Sequence, residues 1–191
     1  MFLLITIFIN SIIFAQSVSN KSVRLYDNDK IELGKVYVDH DICPGEGCTY
    51  GKWTVKEGRV ASIYAKNSTL TPEVASVFGG EVVESITGET HNLPYRVLLL
   101  DNFESWQGKT YQPGDTIFVL TYLGEGYYKI WHKGEFSVTG LYSLPNTPNY
   151  KVLDKQYHQF KPVWWVKMKT KDNKVGWTRD TDLFSDKNRF E

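Results

Sequence analysis

The strongest hydrophobic pattern in the chain lies between residues 114 and 131. Two runs rich in β-branched and aromatic residues flank the segment Leu123-Gly124-Glu125-Gly126. Residues of these types favour strands, and glycines midway between two such runs allow the chain to reverse. The pattern therefore predicts the central hairpin of a small β-barrel.

The first half of this hairpin has a counterpart earlier in the chain. Gly80–Thr87 and Gly114–Thr121 both contain glycine, an acid, a variable residue, a β-branched residue, two variable residues, an aliphatic residue and threonine. The same spacing in both segments indicates a duplicated β unit.

The C-terminal part of the chain alternates cleanly between two faces. One face carries Trp164, Val166, Met168 and Thr170, and the other carries Trp165, Lys167, Lys169 and Lys171. Alternation with a period of two predicts a strand with the first face buried and the lysines exposed. Asp172-Asn173 tolerates a turn with positive φ, so 174–178 should return as the partner strand.

Shorter runs predict strands at 35–38, 53–55, 59–65, 81–87, 95–100 and 135–138, and only 71–77 could form a helical turn. The fold class is therefore all-β. Residues 102–114 contain two glycines, one proline and little periodicity, which marks a junction. We expect a flexible leader at 16–34, a first β unit with the cysteine loop at 35–105, and a second at 106–191.

The first fifteen residues are apolar and end in Phe14-Ala15-Gln16. A membrane-spanning helix needs about 20 apolar residues, and a small residue such as Ala15 suits signal peptidase. The segment therefore favours a signal peptide at 1–15, export to the periplasm or the extracellular space, and no stable membrane insertion after cleavage. An uncleaved anchor or a wrongly assigned start are the alternatives.

Charge excludes some partners. The chain has 22 basic and 22 acidic residues, so no long-range field favours nucleic acid or an anionic membrane. The lysine face at 167–171 is then best explained as a solvated face that protects the sheet from aggregation. Trp165 on that face is either covered by a loop or part of a ligand platform.

Cys43 and Cys48 are the only cysteines. In an exported protein an even pair favours a disulfide. A metal site formed by His40, both cysteines and Asp41 or Glu46 is an alternative, although structural zinc prefers tighter cysteine spacing. A free or redox-active pair is the third possibility. The disulfide is favoured, and we expect no metal and no cofactor.

Candidate catalytic groups do not form a known pattern. The four histidines are His40, His91, His132 and His158, and none lies in a metalloprotease motif. The chain has no nucleophile-elbow motif and no phosphate-binding loop. We therefore expect no catalytic residues. A hydrolase would require a deep polar cleft with a paired acid, or with a nucleophile and base.

The chain contains four short motifs: Gly176-Trp177-Thr178, the segment from Val60 to Glu84, the cysteine loop with Tyr50 and Trp53, and Thr87–His91. These motifs resemble those of bacterial SH3-like (SH3b) domains. The resemblance implies two small SH3-like barrels in tandem that bind cell-wall peptide or glycan, or a protein peptide, without catalysis. A periplasmic inhibitor of a wall-degrading enzyme is the alternative binding function.

Aromatic side chains at strand ends or beside turns are the ligand-binding candidates, because they offer a large contact area with few torsions. These candidates are Trp53, Tyr127, Trp165 and Trp177. Trp53 and Trp177 are equally well explained as core residues. We therefore expect Tyr127 and Trp165 to make the ligand contacts.

Overall fold

The computed structural model describes residues 31–44, 47–141 and 148–187. The described chain is almost entirely β, as predicted, and its antiparallel sheets are curled. The predicted signal peptide and residues 16–30 of the predicted leader lie outside the described residues. Within the described ranges, no helix is long and apolar enough to cross a membrane.

The strands are β1 (Tyr37–His40), β2 (Gly51–Val55), β3 (Val60–Tyr64), β4 (Glu73–Phe78), β5 (Val82–Asn92), β6 (Tyr95–Leu99), β7 (Phe103–Glu104), β8 (Thr110–Tyr111), β9 (Thr116–Gly124), β10 (Tyr127–His132), β11 (Glu135–Gly140), β12 (Tyr150–Val152), β13 (Val163–Lys169), β14 (Val175–Thr178) and β15 (Phe184–Ser185). One short helix, α1 (Lys155–His158), precedes β13, and a 3-10 turn (Thr181–Leu183) precedes β15.

The strands form two main sheets and one small hairpin. The larger sheet has the order β15-β2-β5-β13-β14-β3-β4, and β1 also pairs with β5. The second sheet has the order β11-β10-β9-β6-β12, and β7 pairs with β8. The segment at 71–77, the one candidate for a helical turn, instead lies largely in β4, which pairs antiparallel with β3.

Sheet membership does not follow the predicted division at residues 105 and 106. Strands β13 to β15 come from the predicted second unit, yet they belong to the larger sheet. Strand β6 comes from the predicted first unit, yet it pairs with β9 in the second sheet. The reason is that β5 bonds to β2 along one edge and to β13 along the other. Strands β6 to β12 are therefore inserted between β5 and β13.

We call β1–β5 with β13–β15 the outer unit, and β6–β12 the inner unit. Both units contain the same succession of five strands, β15-β2-β5-β13-β14 and β12-β6-β9-β10-β11. The pairing registers correspond as well: Trp53 lies opposite Val83 in the outer unit, as Val97 lies opposite Ile117 in the inner. Each unit also has a register shift immediately after a lysine, Lys167 or Lys129.

The repeated sequence pattern forms the same turn in both units. Gly80 and Gly114 have φ of 81° and 92°, the left-handed region that glycine adopts without strain. The acid that follows each glycine accepts a hydrogen bond from a backbone N–H three residues earlier. Glu81 accepts it from Phe78 at 2.8 Å, and Asp115 accepts it from Gln112 at 3.0 Å.

Each unit has its own hydrophobic core. The outer core consists of Trp53, Val55, Ala61, Ile63, Val77, Val83, Val166, Met168 and Phe184. The inner core consists of Val97, Leu99, Tyr111, Ile117, Val119, Ile130, Leu141, Tyr150 and Val152. Because β13 and β15 contribute to the outer core, the outer unit is complete only after the chain has passed through the inner one.

The closing hairpin has the predicted register. Val166 lies opposite Thr178 and Met168 opposite Gly176, and Asn173 has φ of 61° in the turn. Val166 and Met168 are fully buried and Trp164 is half-buried against the outer core, which confirms most of the predicted core face. On the predicted exposed face, Lys171 is exposed, whereas Lys167 and Lys169 are half-buried. The predicted hairpin at 114–131 is also present as β9 and β10, with a turn at 125–126.

Candidate functional site

A groove runs between the β9–β10 turn and the β7–β8 hairpin of the inner unit. It has a volume of about 290 Å³ and is lined by Gly47, Trp106, Leu123, Gly124, Glu125, Tyr127 and Val138. Trp106 is 75% exposed, and its ring stacks on Tyr127 with centroids 5.2 Å apart and planes 25° apart. The two rings form a continuous aromatic surface on one wall of the groove.

The backbone holds Trp106 in place. Its N–H donates to the carbonyl oxygen of Val138 on β11 at 3.0 Å. The neighbouring Gln107 accepts a hydrogen bond from the Val138 N–H through Oε1 at 3.2 Å. These two bonds hold the β7–β8 hairpin against β11, the edge strand of the second sheet. At this anchored position the indole of Trp106 is exposed.

The β9–β10 turn also lines the groove. Glu125 has φ of 50° between Gly124 and Gly126, which have φ of 104° and 77°. The carbonyl oxygen of Gly126 accepts a hydrogen bond from the Leu141 N–H at 2.9 Å. The turn therefore contributes an exposed acidic residue to the same groove as the aromatic pair.

The cysteine loop reaches the same groove through Gly47. Cys43 and Cys48 form a disulfide, which confirms the prediction and excludes the alternatives of a metal site at these thiols and a free pair. Among the described residues, no group of three or more His, Cys, Asp or Glu could hold a metal ion. The disulfide thus closes a loop that contributes to the groove wall.

The outer unit has an equivalent aromatic pair in a closed environment. Tyr127 and Trp165 each lie two residues before the lysine at the register shift. Trp177 on β14 and Val138 on β11 lie opposite these two lysines. Tyr64 pairs with Trp177, and the Trp106 N–H bonds to Val138, so Tyr64 and Trp106 are equivalent in position. The rings of Tyr64 and Trp165 meet edge to face at 6.2 Å, but Trp165 is only 4% exposed.

A buried carboxylate lies beside this closed pair. Glu89, opposite Trp165 in the register, accepts hydrogen bonds from His91 at 2.7 Å, from His40 at 3.0 Å and from the Asn67 side chain. Burial opposes ionisation of Glu89, but the bonds from His91 and Asn67 and the two imidazoles outweigh it, so its pKa is lowered. Glu89 is therefore held ionised by its partners.

The predicted ligand-binding residues divide between core and surface. Trp53 is fully buried in the outer core. Trp165 is also buried, at 4% exposure, which agrees with the alternative of a covered side chain and gives no support to a ligand contact there. Trp177 is half-buried, with Lys167 Nζ 6.0 Å from its ring centre. Tyr127 lies in the open groove, next to Trp106, which the sequence did not identify.

The remaining histidine with a described side chain is structural. His132 is buried against the Tyr111 ring, with centroids 5.2 Å apart. Asp115 Oδ1 lies 3.4 Å from Nε2, yet neither ring nitrogen has hydrogen-bond geometry with a described partner. Burial lowers the pKa of His132, while the charge of Asp115 opposes the shift. The side chain of His158 lies outside the described residues.

The lysine face forms a second depression of about 390 Å³, lined in part by Lys52, Lys169 and Lys171. Lys171 bonds to Glu81, and Lys169 Nζ lies 3.9 Å from the carboxylate of Glu84. Because these acids offset much of the positive charge, the depression is a weak candidate for an anion site.

Comparison of the chain with protein-family models, curated proteins and solved structures found no match.

Proposed function

We propose that the protein is an exported, non-enzymatic binding module that recognises bacterial cell-wall peptide through the Trp106–Tyr127 groove. We further propose that both units are SH3-like barrels, with the inner barrel inserted into the outer one rather than following it in tandem.

The order of the strands supports the SH3-like assignment. In each unit a strand, β2 or β6, is followed by a hairpin, β3–β4 or β7–β8, before the next long strand, β5 or β9, begins. The last strand of each unit then pairs with the strand that precedes the hairpin: β15 pairs with β2, and β12 pairs with β6. A 3-10 turn also precedes β15. This chain path supports the assignment of both units to SH3-like barrels.

The observation that carries the binding proposal is the exposure of Trp106. Large aromatic side chains are usually buried, and an exposed one fixed beside a second aromatic marks a recognition surface. Its backbone is anchored at Val138 and its ring stacks on Tyr127, so the indole loses less conformational entropy than an unrestrained side chain when a ligand covers it. The equivalent pair in the outer unit is closed, which leaves the inner groove as the aromatic site open to a ligand.

The chemistry of the groove favours binding over catalysis. Its lining residues provide two aromatic rings, aliphatic groups, backbone and one carboxylate. They do not pair a nucleophile with a base, nor two acids, among the described residues. The disulfide fits an oxidising, exported location.

The test is cosedimentation of the purified protein with purified cell wall, followed by titration with soluble wall peptides. Replacing Trp106 and Tyr127 together by alanine should weaken binding at least about tenfold, as removal of an aromatic anchor typically does. The melting temperature should change little because Trp106 is mostly exposed and Tyr127, although half-buried, lines the open groove and lies outside the inner core. Phe78→Ala, an exposed aromatic in the outer unit, is the matched control and should leave affinity unchanged.

Unchanged affinity in the double variant would refute the groove as the wall-binding site. Equal binding to wall from which the peptides have been enzymatically removed would indicate a glycan ligand instead. Absence of wall binding, together with tight binding to a wall-degrading enzyme, would favour the inhibitor.

A further inference from the structure

The groove combines an aromatic face with an acidic group. Among the described residues that line it, Glu125 is the only carboxylate, and none is a lysine or arginine. Within the part of the chain that the structure describes, the Glu125 carboxylate has no hydrogen bond or ion pair. No described residue therefore offsets its charge.

Resting on the proposed function, we infer that the groove selects peptides carrying a positively charged side-chain amine, bound between the ring of Trp106 and the carboxylate of Glu125. Wall peptides contain a diamino acid, and its second amine is free wherever the peptide is not cross-linked. The inference thus assigns the groove to uncross-linked peptide rather than to cross-linked material.

The same arrangement appears at two other places in this protein, each time with one of its own lysines. Lys129 Nζ lies 5.6 Å from the ring centre of Phe136 and 2.7 Å from the carboxylate of Asp39. Lys109 Nζ lies 5.5 Å from the ring centre of Tyr111 and 2.5 Å from the carboxylate of Glu135. In the groove the aromatic face and the acid are present, but no lysine of the described chain accompanies them.

The physical basis is additive attraction from two sides. The negative face of an indole attracts a cation within about 6 Å of the ring centre. A carboxylate adds a short, charge-assisted hydrogen bond to an ammonium group. The backbone of Trp106 is anchored to β11 and its ring stacks on Tyr127, while the backbone of Glu125 is held in the β9–β10 turn. The aromatic face is therefore formed before the ligand binds, and the carboxylate starts from a defined position of the backbone.

The experiment compares two forms of one soluble probe, a purified uncross-linked wall peptide with its side-chain amine free or acetylated. Affinities are measured by titration at low and at physiological salt. The native protein should bind the free amine about tenfold more tightly than the acetylated peptide, and the difference should shrink at higher salt because the site is open to solvent.

Three variants separate the possible outcomes. Glu125→Gln should remove the preference for the free amine, whereas Trp106→Ala should weaken binding of both peptides. Glu57→Gln, an exposed acid of the outer unit, is the control and should retain the preference. The melting temperature of each variant is measured to confirm that it folds.

Equal affinity of the native protein for the two peptides, or a full preference in Glu125→Gln, would overturn the inference. If Trp106→Ala still weakened binding in that case, the proposed wall-peptide function would stand without the charge selectivity. If Trp106→Ala bound both peptides as the native protein does, or if neither peptide bound, the proposed function itself would fail.

Discussion

Gly88 lies on β5 where three side chains or backbone groups converge on it. A Cβ atom at this position would lie 2.6 Å from Trp164 Nε1 and 3.0 Å from the carbonyl oxygen of Trp165, and it would also collide with the hydroxyl of Tyr50. The φ of Gly88 is not in the left-handed region, so the effect of a side chain here is steric. Gly88→Ala therefore tests the packing of this region directly.

The expected cost follows from three contributions, two that destabilise the protein and one that offsets them. Overpacking by one methyl group typically costs about 1–3 kcal/mol. Displacing Tyr50 also breaks the hydrogen bond from its hydroxyl to the Ile42 carbonyl oxygen, which adds about 1 kcal/mol. The lower entropy of the unfolded alanine chain returns about 0.4–1 kcal/mol. Gly88→Ala should therefore destabilise the protein by about 1–3 kcal/mol.

Urea unfolding followed by tryptophan fluorescence measures this effect. With a slope of about 2 kcal/mol/M, the midpoint should fall by about 0.5–1.5 M. Tyr50→Phe removes the colliding hydroxyl, so in the double variant the cost of Gly88→Ala should be smaller than in the native background. An unchanged midpoint in Gly88→Ala, or full additivity with Tyr50→Phe, would refute this account of the packing.

Two further predictions concern stability. Met168→Ala should cost about 2–5 kcal/mol in urea unfolding because it leaves a cavity in the outer core, whereas Lys169→Ala next to it should cost at most about 0.5 kcal/mol; the reverse order would contradict the register. His132 has a lowered pKa in the folded protein, so the unfolded chain binds its proton more readily and stability should fall as the pH drops below about 6.5. His132→Phe should flatten the dependence of the urea midpoint between pH 7.5 and 5, and an equally steep profile in this variant would assign the titration to another group.

Local patterns of the sequence predicted local structure well. The alternation in β13 identified Val166 and Met168 as core residues, and Asp172-Asn173 identified the turn. The same alternation left open whether Trp165 is covered. A period of two shows which residues share a face of a strand, but it does not show whether that face is covered. In the fold, Trp165 on the second face of β13 contacts the ring of Tyr64, which belongs to the distant β3–β4 hairpin.

The path of the chain between the units could not be predicted in this way. β9 and β10 pair through a two-residue turn, whereas the equivalent strands β5 and β13 pair across the whole inner unit. A partner so far along the chain leaves no signal in local composition. Trp106 was missed for a related reason: it lies in an aperiodic polar segment, and only its bond to β11 gives it a fixed position.

The two aromatic pairs differ in the strands around them. In the inner unit, β9 ends at Gly124, the chain turns back at once, and Tyr127 lines the open groove. In the outer unit, β5 continues to Asn92 on its way to β6, and β1 pairs along this extension. The added strand places His40 against Glu89, which lies opposite Trp165 in the register. The buried position of the outer unit is thus flanked by an extended strand and a hydrogen-bonded carboxylate, whereas the open position of the inner unit ends at a two-residue turn.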